Sequence, residues 1–458
     1  MDAALVTAWK ASCQELAGAF TGPTFSNFLL IATGWVLCQS RPTVTNLVRA
    51  IGENLLGHAV KHWTVYERFF YRAAWSLETL SRLLLTRIVV PLLEREACEG
   101  PGAPITLILD GTTCARTGKH VAFAGYFKDA STGNTLKTVI HWSHQWLIGA
   151  VALRPRRWPM WVTALPVFFA LYRKKPDCNR RHPFATIQQL AAGMFRQARE
   201  ALPEWVIYVV ADGQFASRDV VEELDGRSAL VSRLRRDAAL YALPPTRRQR
   251  RPGRPRTRGK RLPSPKRMAR RRKGWQTVWV RKGDRFVKRT ILSIVCLWYH
   301  VCRQRPIRLV IVRDPSGHEH DDFLFCTDPG VKAKEIAERY FARWPIEESI
   351  RDGKQLNGFE QVQGWCPHTV QRQAPMALVV QTLVKAWFLR HGVRARAAQP
   401  RGSAACPWMP TKSHPSYLDM LATLRGVLWD SRINTNSTLR TGLKKILRPL
   451  RFALCGAL

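Results

Sequence analysis

Acidic residues are scarce in this chain: Asp and Glu number 33 against 72 Lys and Arg, a formal net charge of +39 over 458 residues. Solubility asks for far less, so the imbalance points to a polyanionic partner, most commonly nucleic acid. The eleven cysteines include no Cys-x-x-Cys pair. The closest two, Cys296 and Cys302, have no partner pair at zinc-ligand spacing, which excludes a zinc module and leaves reduced, mostly buried thiols. Long apolar runs are missing too. The longest, Trp158 to Tyr172, contains Pro159 and Pro166 and is too short for a bilayer-spanning helix. No charged-then-apolar leader opens the chain, so a cytoplasmic, nucleoid-associated location without membrane contact is expected. There is no internal repeat.

What is present divides along the chain, whose length suggests roughly two to four structural units. Residues 1–100 are spaced-apolar helical segments, such as "TVTNLVRAIGENLL", with little that looks like a strand. They suit either a helix-turn-helix-like reader of DNA ends or an all-helical packing domain. From Pro104 the texture changes. "ITLILD", "HQWLIGAVALR", "MWVTALPVFFALYR" and "VIYVVAD" are strand-like, with the amphipathic helix "FATIQQLAAGMFRQAREAL" before the last of them and the strand-like "ALVSRLR" after it. Residues 101–235 therefore predict a mixed α/β sheet with helices packed on it. Residues 236–322 predict a β-rich insertion carrying the basic loop 247–274, which has no acidic residue and is broken by Pro and Gly. Residues 323–375 return to the core through a helix, and 376–458 form a helical C-terminal region.

Asp110 and Asp212 share a context. Each ends a buried-strand pattern and precedes Gly, so each carboxylate emerges at the carboxyl edge of a sheet. Alone, either is ordinary Asp-Gly turn chemistry. If the strands are neighbours, the pair converges into the hard oxygen set that Mg²⁺ prefers, and two ions about 4 Å apart activate a nucleophile and stabilise a leaving oxygen in phosphodiester cleavage. Asp314 and Asp328 also end strand-like runs, but each precedes Pro and reads as a structural turn.

A third acid comes from "YFARWPIEESIRDGKQLNGF", residues 340–359. Pro345 fits the first position of a helix. At about 100° per residue, Ile346, Ile350 and Gly353 fall within about 60° of one another and form a buried stripe. Glu347 lies on the shoulder of that stripe with Lys354 nearly beneath it, while Glu348 points to the opposite, solvated side.

Tyr340, Arg343, Glu347 and Lys354, with two, three and six residues between them, resemble the Tyr-Arg-Glu-Lys signature of DDE transposases from bacterial insertion sequences. "LILDGTT" and "VVADGQF" look like that family's two catalytic-aspartate strands, and the similarity covers roughly residues 104–365. It implies an RNase H-like core in which Asp110, Asp212 and Glu347 bind two Mg²⁺ ions, with Mn²⁺ as a substitute. Water would be the nucleophile for nicking element ends, and a DNA 3′-hydroxyl the nucleophile for strand transfer. The resemblance gives Tyr340, Arg343 and Lys354 contacts to DNA phosphates. It makes double-stranded DNA the partner, both terminal inverted repeats and target, and a homodimer on DNA the expected assembly.

Weaker signals remain. "PGRPR" at 252–256 is similar to a minor-groove hook led by Arg254 and Arg256, although a solvated charge run binds any polyanion. Trp275, Trp279 and Trp298 suit base stacking or the core of a β unit. His141, His144, His318 and His320 rank as ordinary polar or core histidines rather than ligands. Two other functions stay open: an RNase H-like nuclease that cuts without joining, and a catalytically retired DNA-binding regulator.

Overall fold

The structure, a computed structural model, describes residues 2–129, 139–180, 182–245, 256–398 and 412–435. Apolar spacing carries the first hundred residues into helices α1 (Asp2–Gln14), α2 (Gly22–Leu37) and α3 (Val44–Ile51). After them come α4 (Trp63–Tyr71), α5 (Leu77–Leu83) and α6 (Val90–Glu96), the last two joined by a π-helical stretch. Thr43 and Ser76 start α3 and α5 by accepting amide hydrogen bonds at the helix mouth. One short hairpin, β1 (Asn54–Leu55) with β2 (His58–Ala59), interrupts a region expected to hold little strand. It turns through Leu56 and Gly57, both at positive φ.

The sheet begins with β3 (Ile105–Ala115), β4 (Gly125–Asp129), β5 (Val139–Leu153) and β6 (Thr163–Tyr172). It continues through α7 (Ile187–Ala201), β7 (Ile207–Ala211), α8 (Arg218–Glu222) and β8 (Ser228–Arg233). β5 runs antiparallel to β3, and β6 antiparallel to β5, whereas β7 and β8 run parallel to β3. This mixed sheet is an RNase H-like arrangement. β4 and β6 lie end to end along one side of the long β5. β3 does not stop at Asp110, as the apolar run suggests. β5 keeps pairing with it as far as Ala115, opposite Ser143.

The next segment contains α9 (Pro265–Met268), β9 (Gln276–Lys282), β10 (Arg285–Leu297), α10 (Tyr299–Cys302), β11 (Pro306–Arg313) and β12 (Asp322–Cys326). Its strands add to the same sheet. The order is β4-β5-β3-β7-β8-β12-β11-β10-β9, ten strands counting β6 on β5. The described part of the basic loop is packed against this sheet. Met268 is buried, the Leu262 amide bonds the Leu240 carbonyl, and Arg258 stacks 4.4 Å over Tyr241 and 4.9 Å over Tyr299. Aromatic faces take up guanidinium planes that would otherwise only repel one another.

Helices α11 (Ala333–Phe341), α12 (Pro345–Asn357), α13 (Pro367–Trp387), α14 (Val393–Ala398) and α15 (Tyr417–Thr435) complete the fold. The N-terminal helices share one core with α13 and α15. Trp35 Nε1 donates to the Asn357 carbonyl at 2.8 Å, Trp387 Nε1 to the Leu5 carbonyl at 3.1 Å, and Arg425 Nη2 to the Cys38 carbonyl at 2.9 Å. These contacts pack the N-terminal helices against the C-terminal ones. Among the described residues no helix is long and apolar enough to cross a membrane.

Candidate active site

Leu109 of β3 pairs with Ala211 of β7, and β7 ends there. The next residue on each strand is an aspartate. Asp110, midway along β3, and Asp212, just past the end of β7, therefore stand side by side where the parallel pairing of the two strands stops. The Gly111 amide donates to Asp110 Oδ1 at 2.9 Å and fixes that carboxylate.

Glu347 reaches the same place from a helix. Pro345 opens α12, and Gly358, left-handed at φ 64°, closes it. Ile346, Ile350 and Gly353 are buried as their spacing predicts, joined by Ser349 and Asn357. Gly353 is needed here, because a β-carbon would come 2.4 Å from Leu378 Cδ2 of α13. With that face held, Glu347 is one-third exposed and turned toward the strand ends.

Arg343, in the turn between α11 and α12, joins the two elements. Its Nη1 donates to Asp110 Oδ2 at 3.1 Å and its Nη2 to Glu347 Oε1 at 2.5 Å. Burial lifts Asp110 to about 6, Arg343 opposes the rise, and the charges of Glu347 and Asp212 add to it. Both other acids thus act electrostatically on Asp110. Burial also works against the Arg343 cation, but Asp110, Tyr340 and Glu347 hold its pKa above the ordinary value. Among the described residues no three His, Cys, Asp or Glu side chains stand close enough to hold an ion as they are. The guanidinium lies between two of the three acids, a cation where hard oxygen donors converge. Their chemistry fits a divalent ion such as Mg²⁺.

The other sequence candidates fall into distinct positions. Lys354 Nζ donates to the Thr113 carbonyl at 2.7 Å and lies 3.4 Å from Glu360, tying α12 to the extension of β3. Tyr340 is only 5% exposed, and burial pushes its hydroxyl up to about 12; Arg233 lies 5.5 Å over its ring. Arg256 is exposed, and Arg254 lies outside the described residues. Trp298 is buried edge-on to Phe325, Trp275 stacks under Arg313, and Trp279 is exposed. His144 is a core histidine between Arg116 and the Ala122 carbonyl, drawn down to about 4 by burial and then by Arg116.

Arg218, Arg233, Arg235 and His300, which the sequence did not single out, line an open cleft of about 540 Å³ together with Trp298, and the cleft begins at Gly213, next to Asp212. A more enclosed hollow of about 250 Å³ lies at the amino end of β3, among Arg154, Glu335, Glu338 and Arg339. Arg154 there is paired with Glu99 and Arg339 with Glu335.

A family model described as a DDE superfamily endonuclease matches residues 15–291. The chain belongs to that family. No curated protein matches it. The DDE match takes in Asp110, Asp212 and the N-terminal helices from residue 15, and it ends before Glu347. As a DDE endonuclease family member the protein is a transposase-like nuclease, in a family that acts on DNA with divalent metal. The place of Glu347 in the site rests on α12 and Arg343 rather than on the match.

Proposed function

We propose that this protein is a transposase that cuts the ends of an insertion sequence and joins them to target DNA, with Asp110, Asp212 and Glu347 holding two divalent ions, Mg²⁺ or Mn²⁺. The observation that carries this is the Arg343 bridge between Asp110 of β3 and the α12 glutamate, beside Asp212 at the end of β7. Bound to such an all-oxygen set, the ions supply an activated water or 3′-hydroxyl and a stabilised leaving oxygen.

The chain's own residues do the remaining work. The Gly111 amide orients Asp110, and the buried face of α12 orients Glu347. Arg343 balances the carboxylates in the resting site, and its five donors suit a phosphate equally well once those acids are otherwise neutralised. Lys354 Nζ is held on the Thr113 carbonyl near the end of β3. Arg218, Arg233 and Arg235 line the adjacent cleft with the cations a DNA backbone needs. Holding two element ends together calls for a homodimer on DNA.

A duplex carrying the inverted repeats that flank the coding region tests this in the presence of Mg²⁺. Wild-type protein is expected to nick at the element ends and, given pre-cut ends, to join the 3′-hydroxyl to a target duplex. Cutting without joining would leave a nuclease. Binding without cutting would leave a regulator.

A further inference from the structure

Lys385, in the second half of α13, is 3% exposed, and its ammonium sits in the core beside the buried polar side chains of Ser349, Gln381 and Thr382. Its Nζ donates to the Ala164 carbonyl of β6 at 2.8 Å and to Ser349 Oγ of α12 at 2.7 Å. Ser349 Oγ donates in turn to the same Ala164 carbonyl at 3.0 Å, and Gln381 Nε2 donates to the Ser349 carbonyl at 3.0 Å. One turn of α13 thus grips one turn of α12 and one residue of the sheet.

The location has a physical reason. At this end β6 pairs only with β5, so the outward carbonyls of Ala164 and Pro166 have no strand beside them. Buried carbonyls require donors, and α12 and α13 supply them: Lys385 and Ser349 to Ala164, and Thr382 Oγ1 to Pro166 at 2.7 Å. A buried ammonium is an expensive donor. Burial takes Lys385 down to about 8, against the charges of Asp352 and Glu348 on α12. Apolar packing alone would hold two helices together at lower cost, but it would allow them to slide, whereas a fixed set of hydrogen bonds selects one register.

That register matters because Ser349 is two residues beyond Glu347. We propose that Lys385 is a positioning residue for the candidate active site: through Ser349 and Ala164 it fixes the axial and rotational setting of α12 against the sheet edge, and so the place of Glu347 relative to Asp110 and Asp212. This deepens the assignment above and rests on it for its catalytic consequence. The fixing of α12 stands on its own.

The test uses the full chain with Lys385→Met, which keeps volume and removes the donors, and Ser349→Ala, which removes the bridge and leaves Lys385 on Ala164. Hydrogen exchange at the α12 amides, Glu347 to Gly353, is expected to quicken about tenfold or more in both variants, while β7 and α2 keep wild-type protection. In the cleavage assay, DNA affinity stays at the wild-type level, the turnover rate drops about 10- to 100-fold, and the Mg²⁺ concentration for half-maximal rate rises. Wild-type exchange in α12 overturns the proposal, and so does a uniform loss of protection through the whole core. Should Lys385→Met fail to fold, Ser349→Ala decides by the same measurements. A wild-type protein that never cuts DNA would sink the transposase assignment but leave the exchange result to decide the fixing of α12.

Discussion

Arg343 and Asp110, 233 positions apart in sequence, are joined by a 3.1 Å hydrogen bond from Nη1 to Oδ2, and the same guanidinium holds Glu347. One cation therefore offsets two acids in a partly buried site. Arg343→Gln removes that charge and leaves the carboxylates facing each other. In chelator, the variant is expected to be destabilised by about 2 kcal/mol, less than a fully buried pair would cost because Glu347 is one-third exposed. Added Mg²⁺ should raise its melting temperature more than it raises that of the wild type. Equal responses to Mg²⁺ would separate Arg343 from the ion site.

Replacing Asp110 or Asp212 with Asn, or Glu347 with Gln, keeps shape and removes charge. Each is expected to lower Mg²⁺-dependent cleavage roughly a thousandfold, several kcal/mol in the barrier, with DNA affinity nearly unchanged in gel shifts. A Glu347→Gln protein that cleaves at the full rate would remove Glu347 from the site.

Glu348 is the internal control. With Asp352 it acts on the Lys385 ammonium, and it is not among the charges that act on Asp110. Glu348→Ala should change the cleavage rate by no more than about threefold, within the range of partly exposed charge effects. A loss as deep as that of Glu347→Gln would mean the phase of α12 is wrong.

Asp314 gives a pH signature through groups outside the candidate site. The Ser316 hydroxyl and amide, and then Arg289 and the Glu319 amide, hold its carboxyl down to about 2 from an ordinary 3.8. A carboxyl lowered by folding stabilises above its unfolded pKa, and that stability is lost as pH falls through the folded value. Denaturant unfolding of wild type and Asp314→Asn should therefore differ at pH 7. The gap should close between about pH 4 and pH 2. A constant gap would contradict the coupling.

Patterns confined to a few residues were readable in the sequence. The apolar runs before Asp110 and Asp212 and the Pro345 helix start placed two strands, the end of β7 and one helix face, because strand alternation and helical periodicity are local, whereas the run of β3 past Asp110 depends on its pairing with β5. Pairings between distant segments were not. Nothing local in β12 says that it joins β8, and nothing in "VKAW" says that its lysine will meet Ser349 and Ala164. Arg343 was legible as a basic residue of a signature, while its bridging position depends on how the turn before α12 meets the end of β3. The hydrophobic faces of α1 to α6 were visible, but their partners α13 and α15 lie hundreds of residues away.

The strands between residues 236 and 326 have a bearing on how this protein can be divided. β12 lies directly against β8, with Leu324 opposite Arg233 and Cys326 opposite Val231. Excising the segment would strip one whole side of β8, two strands away from the one that carries Asp110. The bare edge would seek another chain to pair with, the usual route to aggregates. A miniaturised version built by trimming this region would therefore be insoluble, whereas a graft that keeps β12 and shortens only the outer β9–β10 hairpin would leave that edge covered.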